Sequence, residues 1–112
     1  MPEDAAARPA SQLTVVTSTE GGTPIVSCSG KLVAGSVAVL QNEVRSLLPG
    51  AERIVLDLTD LGYMDSTGLG VIIGLNVSAK SVGARLELHN VNPRVRQLFV
   101  ITKVESLFEV IT

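Results

Sequence analysis

The chain has 112 residues, of which 46% are hydrophobic, enough for one domain with a substantial core. Aromatic residues make up only 3% and tryptophan is absent, so the core is aliphatic, which suits parallel strands covered by helices. A net charge of −2 excludes a basic footprint for nucleic acid or an anionic membrane surface, and no run approaches the roughly 18 apolar residues of a membrane span.

Residues 1–11 are rich in Ala, Pro and acid and read as a flexible tail, leaving 12–112 as the folded domain. They lack the apolar stretch of a signal peptide, and the lone Cys28 excludes an intrachain disulfide, so the expected location is cytoplasmic. Leu13-Thr14-Val15-Val16-Thr17-Ser18 is β-branched and predicts a strand. Glu20-Gly21-Gly22-Thr23-Pro24 is turn chemistry, and Ile25-Val26-Ser27-Cys28-Ser29 completes an expected hairpin that Gly30 breaks. Cys28 reads as a buried, inert thiol. Val37, Leu40, Val44 and Leu47 or Leu48 recur at helical spacing until Pro49-Gly50 stops the helix. Arg53 to Leu58 is a third strand, apolar enough to lie centrally; Asp57 within it is costly unless paired. A helix starting near Ser66 places Leu69, Ile72, Ile73 and Val77 together and ends near Gly83. The sequon Asn76-Val77-Ser78 reads as chance. Leu86 and Leu88 alternate with Arg85, Glu87 and His89 in a fourth strand. Asn92-Pro93 opens a helix with Val95, Leu98, Phe99 and Thr102 on one face. Val104 to Val110 closes the chain as a short helix or strand. Residues 53–89 form a strand–helix–strand unit, whose strands are expected to be parallel with a right-handed crossover.

The turn between the third strand and its helix, Gly62-Tyr63-Met64-Asp65-Ser66-Thr67-Gly68-Leu69-Gly70, carries the chemistry. It lies at the carboxyl end of the strand, where open α/β sheets place their sites. Asp65 or Ser66 can cap the helix, worth about 1 kcal/mol. Ser66 can also accept a phosphate: a helix start offers free amides and partial positive charge, and phosphoserine adds about −1.5 to −2 charge. The fold tolerates that charge, whereas a partner docked there does not. Asp60 and Asp65 read as turn and cap groups that could also orient the hydroxyl or flag it to a kinase. Among the glycines, Gly74 is expected to serve packing and Gly68 the approach of a partner.

Catalytic readings fail. A nucleophile elbow needs Gly two residues before the Ser, and Met64 stands there. Gly30-Lys31 is followed by Leu32 with no P-loop spacing. One His and one Cys, far apart, make a metal site improbable; His89 reads as a surface or capping residue.

The stretch Asp65-Ser66-Thr67-Gly68-Leu69-Gly70-Val71-Ile72, preceded by Ile54-Val55-Leu56-Asp57-Leu58, closely resembles the bacterial anti-sigma factor antagonists, the STAS-domain proteins. The hairpin, Gly30-Lys31-Leu32, Gly83-Ala84-Arg85-Leu86, Asn92-Pro93-Arg94-Val95 and Leu107-Phe108 follow in family order, so the resemblance covers roughly residues 12–111. It implies a single α/β domain: a small mixed sheet with an initial hairpin and a parallel βαβ unit, helices packed mainly on one face. It implies a non-enzymatic role without cofactor, metal, nucleic acid or membrane. The unphosphorylated domain would bind an anti-sigma factor of the serine protein kinase type and so free a sigma factor. The kinase would phosphorylate Ser66, and a PP2C-type phosphatase would reset it. Partner contact would fall on Asp65, Thr67, Gly68, Leu69, Gly70, Lys31 and Val33. Lys31 and Val33 depart from the acidic Gly-acid-Leu-Asp pattern common in the family. That departure favours the alternative of a constitutive STAS scaffold without Ser66 switching.

Overall fold

The computed structural model describes residues 12–112; the tail expected over 1–11 lies outside the described residues. Two glycines, Gly21 and Gly22, join strands β1 (Leu13–Glu20) and β2 (Thr23–Leu32). Both have positive φ, 59° and 84°, which is the two-residue turn whose twist matches an antiparallel hairpin. Helix α1 (Val37–Leu47), strand β3 (Arg53–Met64), helix α2 (Ser66–Ser81), strand β4 (Arg85–His89) and helix α3 (Pro93–Ile101) follow in order. The sheet order is β1-β2-β3-β4, with β2, β3 and β4 mutually parallel.

Alternation along each strand sends one set of side chains inward: Val26 and Cys28 from β2, Ile54, Leu56 and Leu58 from β3, Leu86 and Leu88 from β4. Leu40 and Val44 of α1, Leu69, Ile72, Leu75 and Ala79 of α2, and Val95 and Phe99 of α3 pack into the same cluster. The helices thus cover one face, and each fully buried aliphatic side chain contributes about 1.5–3 kcal/mol. Cys28 lies in this core; burial, with Asp57 adding to it, pushes its thiol up to about 12, so it carries no thiolate.

Gly30 does not break β2. It sits at a register shift against β3 with φ 104°, a conformation open to glycine, and the bulge carries the strand on to Leu32. β3 correspondingly runs six residues past Leu58, pairing Ser29–Leu32 with Asp60–Met64. Asp60 is therefore a strand residue rather than a turn residue. Residues 104–112 contain both expected alternatives: a single 3-10 turn over Glu105–Leu107, then a parallel bridge from Ile111 to Leu88. Phe108 packs edge-on against Phe99, ring centroids 5.7 Å apart, and anchors this segment.

Candidate functional site

β2 and β3 end side by side, and the site is built on those ends. Asp65 is the N-cap of α2: its extended backbone (φ −100°, ψ −176°) turns its carboxylate onto the first turn, where Oδ1 accepts the Gly68 N–H at 2.9 Å. Oδ2 accepts the Ala34 N–H at 3.4 Å, and the Asp65 N–H donates to the Leu32 carbonyl at 3.3 Å. One residue thus joins the start of α2 to the end of β2. Ser66 follows as the first helical residue, exposed, as is Thr67. Because Asp65 takes the capping role, the Ser66 hydroxyl forms no cap of its own.

The β2–α1 turn is held from within. Ser36 is 2% exposed; its Oγ accepts the Val33 N–H at 3.1 Å and donates to the Lys31 carbonyl at 2.8 Å. This fixes Lys31, exposed, and Val33, half-buried, beside the motif. Both line a hollow of about 670 Å³ together with Asp60, Tyr63 and Arg94. Nothing in the sequence spacing marked Ser36; a serine before an apolar helix reads as an ordinary cap, yet no side-chain cap bond forms there.

The glycines are placed differently from that expectation: Gly68 is packed and Gly74 is open. A Cβ on Gly68 would be driven into the Leu32 carbonyl oxygen and would stand 3.0 Å from Leu32 Cγ and from Met64 Cγ. Gly68 is buried by this contact, which gives it a packing requirement against β2. Cβ atoms on Gly70 and Gly74 would meet nothing within 4 Å, and both positions are exposed. Leu69, expected to supply contact area, is 6% exposed and belongs to the core. The surface around Ser66 therefore includes Thr67 and Gly70 on α2, with Lys31, Val33 and Ala34 across the turn.

Two further polar groups are settled by their partners. Asp57 Oδ1 accepts from the Thr59 backbone (3.1 Å) and hydroxyl (2.6 Å) and from Asn90 Nδ2 (3.1 Å). The Thr59 hydroxyl leads in holding this carboxyl below its ordinary value, with burial opposing. On the sheet face away from the helices, Glu87 is 2% exposed. Its Oε2 accepts from Arg53 Nε and Arg85 Nε, each at 2.9 Å, and its Oε1 from His89 Nε2 at 2.9 Å. The Arg53 hydrogen bond is the largest cause that lowers this carboxyl to about 2. His89 is thus a member of a charged network rather than a bare surface residue. The alternation Arg85, Glu87, His89 on one face was the available signal. Asn76 is 4% exposed and donates to the Leu107 carbonyl at 3.0 Å, which ties the closing segment to α2 and buries the sequon's acceptor amide.

Among the described residues no helix is long and apolar enough to cross a membrane. A family model described as Mlab, STAS domain matches residues 15–110. The anti-sigma-B factor antagonist of Bacillus subtilis (strain 168) is 33% identical over 85 residues, 76% of this chain and 78% of that protein. An anti-sigma factor antagonist from Mycobacterium paratuberculosis shares the fold with TM-score 0.75 at 19% identity, over 88% of this chain and 85% of its own. The Bacillus cell fate determinant SpoIIAA in its phosphorylated form does so with TM-score 0.68 at 20% identity, over 88% and 92%. The chain belongs to the STAS-domain family, the family that contains the bacterial anti-sigma factor antagonists.

Proposed function

We propose that this domain is an anti-sigma factor antagonist switched by phosphorylation of Ser66. Unphosphorylated, it binds in the cytoplasm to an anti-sigma factor of the serine kinase type and releases a sigma factor. That kinase phosphorylates Ser66, the complex weakens, and a PP2C-type phosphatase restores the binding form. The domain itself performs no chemistry; it is the substrate and the binding partner. The reading is supported by relatives named anti-sigma-B factor antagonists and by a structural neighbour described in a phosphorylated form.

The observation that carries it is the division of labour between Asp65 and Ser66. The Asp65 carboxylate already satisfies the Gly68 amide, so the exposed Ser66 hydroxyl is free to change charge without loss of the cap. A phosphate there sits at the positive end of α2, which the fold tolerates, and it places about −1.5 to −2 charge on the docking surface. Thr67 presents a second exposed hydroxyl; Gly70 leaves open space for a partner's backbone. Isothermal calorimetry with the cognate anti-sigma factor tests this. Ser66→Ala is expected to bind like wild type and Ser66→Asp at least tenfold more weakly; equal affinities refute the switch.

A constitutive scaffold role has one feature in its favour: Lys31 and Val33 depart from the acidic pattern that the family resemblance implies at these positions. Intact-mass spectrometry of the protein from its own host separates the readings, since a scaffold shows no phosphorylated form under any growth condition.

A further inference from the structure

We propose that the trough beside the motif docks an extended segment of a partner protein, with carboxylates at one end and an apolar anchor at the other. This rests on the reading of the chain as a partner-binding domain, but not on phosphorylation of Ser66. Two hollows, of about 670 and 280 Å³, share Tyr63 and Arg94 and so adjoin one another near the carboxyl ends of β2 and β3.

The two hollows differ in chemistry. The larger contains Lys31 and Arg94, and no carboxylate of a described residue forms an ion pair with either. Among the described residues Asp60 is the one carboxylate lining it, set against the two positive charges of Lys31 and Arg94. The smaller is floored by Met64 and Val95 and walled by Leu98, Tyr63 and Ile101. Tyr63 is 46% and Ile101 66% exposed, and their grouping in a concavity, rather than exposure as such, marks a docking surface. Tyr and Arg at the shared centre are the residue types that dominate binding energy in such surfaces. An arginine guanidinium that no described carboxylate engages matches a ligand carboxylate in fork geometry. A nucleic acid fits poorly: the chain is net negative and one tyrosine offers no stacking platform for successive bases.

The test is an amide-spectrum titration of the nitrogen-15-labelled domain. The probes are the synthetic peptide Gly-Leu-Phe-Gly-Asp-Glu-Asp-Gly, its counterpart with lysines replacing the three acids, and oligothymidylate of matched charge. The acidic peptide is expected to shift the amides of Lys31, Tyr63, Arg94 and Ile101 and to bind at least tenfold more tightly than the lysine peptide. Lys31→Glu combined with Arg94→Glu is expected to abolish that preference while keeping a dispersed, folded spectrum. Equal binding of the two peptides, no binding of the acidic one at millimolar concentration, shifts confined to other surfaces, or oligothymidylate binding as tightly overturns the proposal. No anti-sigma factor is present in this titration, so its failure leaves the Ser66 calorimetry intact, and failure of the switch leaves this docking result intact.

Discussion

Three glycines in one helix give a sharp contrast when each is changed to alanine. At Gly68 the new methyl is pressed into the Leu32 carbonyl and lies 3.0 Å from two side-chain carbons, Leu32 Cγ and Met64 Cγ. The side chains can rotate away, but the carbonyl belongs to the backbone of β2 and also accepts the Asp65 N–H. Relief therefore requires α2 to move off the sheet. Overpacking of this kind costs about 1–3 kcal/mol. Helix propensity returns up to about 1 kcal/mol, and less in a first turn. A net loss near 2 kcal/mol is expected. At Gly74 nothing lies within 4 Å of the new methyl, so only the propensity gain remains, a stabilisation of about 0.5–1 kcal/mol. Gly70→Ala is expected to follow Gly74→Ala. Urea unfolding followed by far-ultraviolet circular dichroism reads both directions. With a slope of about 1.5 kcal/mol per molar, 2 kcal/mol moves the midpoint down by about 1.3 M. A Gly68→Ala protein as stable as wild type, or a Gly74→Ala protein that is weaker, would refute the packing argument.

Other expectations follow from single contacts. Asp65→Ala removes the acceptor for both Gly68 and Ala34 and should cost about 1–2 kcal/mol in the same urea assay, whereas Asp65→Asn, which keeps a capping oxygen, should cost less. Glu87 has its folded value depressed from 4.5 to about 2, so its contribution is present above about pH 4.5 and is lost as pH falls toward about 2. Melting temperatures measured from pH 5 to pH 2 should fall more steeply for wild type than for Glu87→Gln, which starts less stable because three basic side chains lose their shared acceptor. Parallel curves would remove Glu87 from the acid transition. Cys28, buried with a thiol pushed up to about 12, should resist a thiol-specific chromogenic reagent in the native state and react fully in denaturant. Fast native labelling would contradict its placement in the core.

Local periodicity made most of the fold legible. Val37, Leu40 and Val44, the Asn92-Pro93 start of α3, and the alternation of Leu86 and Leu88 each state their element within a few residues. The misreadings share one cause: they depend on what lies across the sheet. Gly30 resembles a strand terminator until β3 pairs on past it and makes it a bulge. Asp60 and Gly62 read as turn residues, because alternation fails where half a strand has a neighbouring strand on one side only. The roles of Gly68 and Gly74 cannot be separated by residue type, since the difference is the distance to Leu32, 36 residues earlier than Gly68 in the chain for one and irrelevant for the other. The Ser66 motif was legible because strand, cap and helix start are consecutive. The trough was not, because Lys31, Tyr63 and Arg94 meet only in the folded chain.

The Leu32 carbonyl faces Gly68 and accepts from Asp65, and the neighbouring Ala34 amide reaches the same carboxylate. The geometry of the serine turn is therefore borrowed from a strand that the turn does not follow in sequence. A protein engineer who moved Asp65–Gly70 onto another helix would carry the Ser66 hydroxyl but not its orientation. The smallest portable unit is the parallel pair β2 and β3 with the first turns of α2, and a bulge like that at Gly30 has to travel with it to keep the two strand ends level.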